Sequence, residues 1–157
     1  MQEGDFLFYD GQILRSDKLL ISPNNRSYRY GDGCFETIKV LNGKIMLADY
    51  HFERLFSSLE TLHFKKLGYH SAGWLEKQIL SVVEKNGHAK RARVRVTVTR
   101  GDGGIYDEQN HYPFFLIQSW PLQPATQELN ENGLVLDIYK DARKTADLFS
   151  SIKSNNY

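Results

Sequence analysis

The stretch Arg91–Thr99 has the sequence RARVRVTVT, in which polar and small apolar residues alternate along the whole length. Because successive side chains of a β-strand point to opposite faces of the sheet, this pattern predicts a strand with one apolar and one polar face. The apolar face consists of Ala92, Val94, Val96 and Val98. The polar face carries arginines and threonines. It either meets solvent, as is usual for such a face, or lines a binding site or a second domain.

Further strands are predicted on both sides of this stretch, where apolar runs are bounded by turn residues. Asp10-Gly11 and Asn42-Gly43 are dipeptides typical of tight hairpin turns. The predicted strands are the hairpin Phe6–Leu14, Cys34–Leu41, Lys44–Leu47, Tyr112–Trp120 and Leu134–Tyr139.

Two helices are predicted between Leu47 and Arg91. The first has Asp49 as its N-cap, and the second ends at Gly87. Their apolar residues recur at helical spacing, as Phe52, Leu55, Phe56, Leu59 and Leu62 in the first and Trp74, Leu75, Ile79, Val82 and Val83 in the second. Hairpin-linked strands with two consecutive helices predict an α+β fold, a two-layer sandwich in which both helices cover one face of a mainly antiparallel sheet.

Composition narrows the class of protein. The 157 residues are 41% hydrophobic and 25% charged, as is ordinary for a globular chain, and no apolar run approaches the roughly 20 residues of a membrane span. A net charge of +1 gives no reason to expect a nucleic-acid or membrane partner. The single cysteine, Cys34, and the acidic start of the chain favour a reducing, cytoplasmic setting.

The sequence motifs do not support a dinucleotide-binding loop, a metal site or a nucleophilic cysteine. Gly31-Asp32-Gly33 lacks the third glycine of a dinucleotide loop and enters a strand instead of a helix. The five histidines are scattered without ligand spacing, so no metal site is predicted. Cys34 lies in an apolar strand and is interpreted as a buried small hydrophobe, not a nucleophile.

Two cationic residues remain open to a chemical role. Arg54 lies away from the apolar stripe of the first helix, where it is either solvated or a guanidinium fork for a phosphate. Lys153 is either a surface lysine or an amine that forms a Schiff base, which requires partial desolvation. Its neighbours Ile152, Asn155 and Asn156 would supply a partly closed, hydrogen-bonding pocket.

Five segments, taken in order, resemble the class IV aminotransferases, which include branched-chain aminotransferases, D-amino acid aminotransferases and aminodeoxychorismate lyase. The segments are Arg29–Val40 (RYGDGCFETIKV), Asn42–Lys44 (NGK), His51–Leu55 (HFERL), Thr99–Gly101 (TRG) and Ile152–Tyr157 (IKSNNY). Each segment is weak by itself, whereas the ordered set is specific. The resemblance implies the N-terminal domain of a pyridoxal-phosphate enzyme.

The resemblance also implies roles for individual residues. Lys153 matches the lysine that bonds covalently to pyridoxal 5'-phosphate and then moves the substrate proton, and Arg54 matches the arginine that contacts the cofactor phosphate. The remaining matches are to substrate-binding positions: Tyr30, Phe35, Arg95 and Tyr157, the last one residue closer to the lysine than in the branched-chain enzymes.

The domain organisation follows from the same resemblance. It implies that residues 1–120 form an N-terminal sandwich domain and that residues 121–157 are an interdomain segment and the truncated start of a cofactor domain. By itself the chain would be inactive, with Lys153 exposed and disordered. The complete protein would be a homodimer in which the glycine-rich loop from Arg100 to His111 reaches the partner.

For the activity, the resemblance implies pyridoxal-phosphate-dependent transfer of an amino group between amino acids and 2-oxo acids. Tyr30, Glu36 and Arg95 favour the branched-chain type. Phe35 replaces a tyrosine of the D-amino acid enzymes and argues against that specificity. The glycine-rich segments 31–35 and 99–104 favour the alternative of aminodeoxychorismate lyase, which releases pyruvate and gives 4-aminobenzoate. An alternative of another class is a non-catalytic fragment or interaction domain that retains the fold.

Overall fold

The strand predicted from the alternating pattern of Arg91–Thr99 lies in the interior of a sheet, which contains all six strands of the described chain. The computed structural model describes residues 5–18, 21–108, 110–123, 131–143 and 145–156. Its elements are β1 (Phe6–Tyr9), β2 (Gln12–Arg15), α1 (Arg26–Tyr30), β3 (Gly33–Leu41), β4 (Lys44–Ile45), α2 (Ala48–Thr61), α3 (Ala72–Lys85), β5 (Arg91–Thr99) and β6 (Phe114–Pro121).

The strand order in the sheet is β2-β1-β6-β5-β3-β4, and every neighbouring pair is antiparallel. β3 and β5 pair along their whole length, from Gly33 opposite Thr99 to Leu41 opposite Arg91. The long helices α2 and α3 pack their apolar stripes on the face of β5 that carries its alanine and valines. The predicted α+β sandwich with two helices on one face is therefore confirmed.

The core lies between this face of the sheet and the two long helices. It contains Leu55 of α2 and Leu75 and Ile79 of α3, each at most 1% exposed. They pack with the inward side chains of β5, which are fully buried. Burying one such side chain contributes about 1.5–3 kcal/mol, so this layer is the main source of stability.

Two details of the prediction are wrong. Leu47, not Asp49, is the N-cap of α2; it adopts a left-handed backbone with φ of 54° and makes no side-chain cap. Asp49 lies inside the first turn, where its negative charge favours the positive end of the helix dipole. Leu134–Tyr139 is not a strand: its large apolar side chains are 75–100% exposed, and no strand in the described chain pairs with it.

One short element was not predicted. α1 begins after Asn25, whose side chain accepts hydrogen bonds from the backbone N–H groups of Ser27 and Tyr28. It ends at Gly31, which has φ of 68°. Such a side-chain cap and a left-handed glycine stabilise both ends of a single helical turn. This turn of helix is followed almost directly by β3. Among the described residues, every helix is too short or too polar to cross a membrane.

Candidate active site

The edge of β3 holds the segment that contains Lys153. β4 pairs only with Val40 and Leu41, at the far end of β3. At the near end, the Phe35 N–H donates to the Lys153 carbonyl at 2.9 Å, and the Asn155 N–H donates to the Gly33 carbonyl at 3.0 Å. This short antiparallel bridge places Lys153 beside the start of β3, with 41% of its side chain exposed.

Two glycines make room for this segment. A Cβ atom on Gly33 would lie 2.3 Å from the Val98 carbonyl oxygen and 2.8 Å from Asn155 Nδ2. A Cβ atom on Gly31 would lie 2.8 Å from Asn156 Cβ. Because side chains do not approach this closely, Gly31 allows Asn156 to pack against the end of α1, and Gly33 allows Asn155 to pack against the start of β3.

Glu36 is the buried centre of the site. Strand alternation directs it to the helix-covered face, together with Cys34 and Ile38, and only 1% of the residue is exposed. An ionised carboxylate in such a place requires hydrogen-bonding partners. Arg54 of α2 supplies two: its Nε lies 2.6 Å from Glu36 Oε1, and its Nη2 lies 2.8 Å from Oε2.

Two more groups approach the same carboxylate. His51, one turn before Arg54 on α2, has its Nδ1 2.9 Å from Glu36 Oε2. An ionised carboxylate only accepts hydrogen bonds, so Nδ1 carries the proton and donates it. Lys153 Nζ lies 3.8 Å from the same oxygen. Residues from β3, α2 and the segment beyond β6 therefore meet at one carboxylate.

The electrostatics of this cluster keep Glu36 ionised. Burial raises the pKa of Glu36, but the hydrogen bonds from Arg54 and His51 and the positive charge of Lys153 outweigh it, so the pKa lies below its ordinary value. In return, the hydrogen bond to Glu36 raises the pKa of Arg54. One carboxylate thus faces the guanidinium of Arg54 and the ammonium of Lys153, and the cluster carries a net positive charge.

The positive groups are also the ones that reach the surface. The side chains of Arg54 and Lys153 are each 41% exposed, whereas that of Glu36 is 2% exposed. Arg54 Nη1 makes no hydrogen bond to any residue that the structure describes. A small anion that also bears an amine-reactive group would therefore meet both a guanidinium and an amine here.

The other predicted site residues lie elsewhere. Phe35 and Arg95 share the opposite face of the sheet, where the Arg95 guanidinium carbon lies 3.7 Å from the centre of the Phe35 ring. Arg95 Nε also donates to Thr97 Oγ1 at 3.2 Å. Tyr30 ends α1, with the Arg29 guanidinium 5.1 Å from its ring centre. Tyr157 lies outside the described residues.

Glu36 and His51 were not predicted as site residues. The sequence indicated Glu36 by its position in the strand. It is a carboxylate on the same inward face as Cys34, Ile38 and Val40, and a buried charge must be paired. The interpretation of Cys34 is supported: it is 1% exposed, and burial, together with the charge of Glu36, raises the pKa of its thiol to about 12. Within the described ranges, no group of three His, Cys, Asp or Glu residues is arranged to hold a metal ion.

A second carboxylate, Asp32, joins two other cations at the end of α1. Arg26 Nε lies 2.7 Å from its Oδ2, and Arg100 Nε lies 3.0 Å from its Oδ1. Arg100 also donates to the Leu62 carbonyl after α2, and Arg26 donates to the Gly104 carbonyl. The Asp32 cluster therefore ties α1, the end of α2 and the loop after β5 together.

Comparison with known proteins gives consistent results. The sequence model of the family described as amino-transferase class IV matches residues 33–157. Aminodeoxychorismate lyase of Bacillus subtilis (strain 168) is 27% identical over 153 residues, which are 96% of this chain and 51% of the lyase. The chain therefore spans about half the length of that relative.

Two solved structures share the fold. The branched-chain aminotransferase of Thermoproteus uzoniensis with norvaline has a TM-score of 0.65 at 22% identity, over 76% of this chain and 41% of that one. A hypothetical aminotransferase from Mycobacterium tuberculosis, in its PLP-bound form, has a TM-score of 0.62 at 20% identity, over 78% of this chain and 41% of that one.

Proposed function

Because this chain belongs to the amino-transferase class IV family, we propose that it supplies one side of a pyridoxal-phosphate site that transaminates amino acids of the branched-chain type. The observation that carries the proposal is the convergence of Lys153 and Arg54 on Glu36. These two cations come from distant parts of the sequence, and both are partly exposed at the same place. Family membership explains why a lysine and an arginine would be brought together there.

The residues present fit this cofactor. Arg54 offers a fixed guanidinium fork to a phosphate, and Lys153 offers an amine to a carbonyl carbon. When bound, pyridoxal phosphate supplies an electron sink for reactions at the substrate α-carbon. Lys153 Nζ, whose side chain is 41% exposed, would hold the cofactor and, when it is free, would accept the proton from that carbon. Arg54 fixes the phosphate end and so the direction of the ring.

Phe35 and Arg95 would contact the substrate from the other face of β3. The Phe35 ring supplies an apolar wall that suits a branched aliphatic side chain, and Arg95 lies against it. In this proposal Tyr30 and Tyr157 complete the substrate pocket, and a 2-oxo acid uses the same groups in the second half of the reaction.

Aminodeoxychorismate lyase is the second candidate. It is supported by 27% identity to the Bacillus subtilis enzyme over 96% of this chain. Both reactions begin at the substrate α-carbon, and the lyase then releases pyruvate. Two assays of the complete protein separate them: amino transfer from leucine to 2-oxoglutarate, and 4-aminobenzoate formation from aminodeoxychorismate. Product in the second assay alone would exclude the branched-chain proposal.

We also propose the domain arrangement that this function needs. Residues 1–120 form the sandwich domain, residues 121–157 lead into a cofactor domain, and two copies associate through the loop from Arg100 to His111. The proposal is supported by the half-length match to the lyase. Sedimentation of the complete protein as a monomer would contradict the dimer. A colourless protein that takes up no cofactor would favour a non-catalytic interaction domain.

The covalent site provides the main test. In the complete protein, borohydride reduction and peptide mapping should place the pyridoxyl group on Lys153, and Lys153→Ala should abolish turnover. Lys77→Ala is the matched control, because Lys77 is exposed on α3, and it should retain full activity. A label on another lysine, or an active Lys153→Ala variant, would overturn the proposal.

A further inference from the structure

The carboxylate of Glu36 has more charged partners than its own burial requires. The two hydrogen bonds from Arg54 already give each of its oxygens one donor, yet His51 and Lys153 approach as well. Buried ion pairs are weak sources of stability compared with apolar residues of similar size. An arrangement that brings four charged or titratable groups to one point therefore indicates a role in orienting them.

We propose that Glu36 is a positioning residue that orients the Arg54 guanidinium toward the cofactor phosphate and holds Lys153 Nζ beside it. This inference rests on the proposed function, which assigns the phosphate to Arg54 and the covalent bond to Lys153. Glu36 itself is enclosed and would touch neither cofactor nor substrate; it acts through its two partners.

The geometry of the arginine shows how the positioning works. A guanidinium is planar, with its donors in a fixed arrangement. Glu36 occupies the edge formed by Nε and Nη2, at 2.6 and 2.8 Å, and this contact sets the plane of the whole group. Nη1 then points away from Glu36, on a side chain that is 41% exposed. Without Glu36, a long side chain at the surface would sample several rotamers, and few of them would present Nη1 in this direction.

The distance between Lys153 and Glu36 indicates a second, weaker effect, which is electrostatic attraction. Nζ and Oε2 are 3.8 Å apart, beyond the roughly 2.7–3.2 Å of a hydrogen bond but within reach of charge attraction. The amine is therefore attracted to the site without being engaged in a hydrogen bond to Glu36. Cys34 from the same strand, His51 and Arg54 from α2, and Lys153 are the titratable or charged groups that face this carboxylate.

A double-mutant cycle on the complete protein tests the inference. Dissociation constants for pyridoxal phosphate and for pyridoxal, which lacks the phosphate, are measured by absorbance for wild type, E36Q, R54A and E36Q/R54A. We expect E36Q to weaken pyridoxal phosphate binding roughly tenfold and pyridoxal binding less than about threefold. In the double variant, the affinity for pyridoxal phosphate relative to pyridoxal should fall no further than in R54A alone, because the effect of Glu36 on the phosphate passes through Arg54.

Glu53 offers a matched control, since it is an exposed glutamate next to Arg54 on α2. E53Q should bind both probes as wild type does. If E36Q weakens both probes equally, or if its effect adds fully to that of R54A, Glu36 is merely structural and the inference fails. If E36Q does not fold, E36D keeps the buried charge but shortens the side chain, and wild-type affinity in E36D would likewise overturn the inference. A wild-type protein that binds neither probe would instead refute the proposed function.

Discussion

The Asp32 cluster and the Glu36 cluster each place one carboxylate between two cationic side chains, with His51 as a further partner of Glu36, but their exposure is opposite. At Asp32 the cations are enclosed: the side chains of Arg26 and Arg100 are 7% and 5% exposed, and that of Asp32 is 20% exposed. At Glu36 the carboxylate is enclosed at 2%, and both cations are 41% exposed.

This difference separates a structural cluster from a candidate binding site. Arg26 and Arg100 also donate to backbone carbonyls, so each guanidinium uses a further donor within the protein. At the Glu36 cluster, the carboxylate is enclosed, whereas Nη1 of Arg54 and the amine of Lys153 belong to side chains that are partly exposed. An ion pair by itself therefore gives little information about function. The exposure of each partner distinguishes a structural pair from a candidate binding site.

The largest effect is expected from breaking the enclosed cluster. Arg100→Ala leaves Asp32 with one partner and the Leu62 carbonyl without its donor. Removing one member of a buried pair costs about 3–5 kcal/mol, so the free energy of unfolding should fall by that amount in urea titrations. Arg93→Ala, on the polar face of β5, is the control and should cost less than about 1 kcal/mol. A loss at Arg100 as small as that at Arg93 would show that the Asp32 cluster does not hold the fold together.

A smaller effect of a different kind is expected at the open cluster. Arg54→Ala in the complete protein should weaken pyridoxal-phosphate binding by about 1.5–3 kcal/mol, or one to two decades in affinity, because a charge-assisted contact is lost. Its effect on folding should be smaller than that of Arg100→Ala, since Arg54 is not part of the apolar stripe of α2. Unchanged cofactor affinity with reduced stability would make Arg54 a structural residue and remove the contrast between the clusters.

The smallest expected effect is a pH dependence of the free energy of unfolding that is caused by the titration of Glu36. Its pKa is lower in the folded chain than its ordinary value of 4.5, so its ionised form contributes stability above that pH. This contribution is lost as the pH falls below 4.5 and through the folded-state pKa. The difference in unfolding free energy between wild type and E36Q should therefore shrink on acidification. A difference that is constant from pH 7 to pH 3 would contradict this assignment.

The sequence predicted those parts of the fold that depend on local pattern. Alternation in β5 and the helical spacing of α2 and α3 are direct consequences of backbone geometry, and these elements were found. Leu134–Tyr139 has the composition of a strand but no strand beside it in the described chain, and a strand requires a partner for its hydrogen bonds. Local pattern could not reveal the missing partner.

The candidate site was predictable only in part for a similar reason. Arg54 and Lys153 were identified through the family resemblance, which carries information from a whole fold. Glu36 was passed over as a binding residue because its importance comes from contacts with side chains distant in sequence. Its inward parity was visible, but the identity of its partners depends on the pairing of residues 153–155 with β3.

That pairing also has a consequence for the order in which the molecule folds. Asn155 donates to Ser27 Oγ across 128 residues of sequence, so closing this contact has a large entropic cost. The hairpins and the two long helices involve much shorter separations and form with less loss of chain freedom. We therefore expect the contacts of residues 153–155 to form after those of the hairpins and helices, and a probe on Lys153 would report a late step of folding.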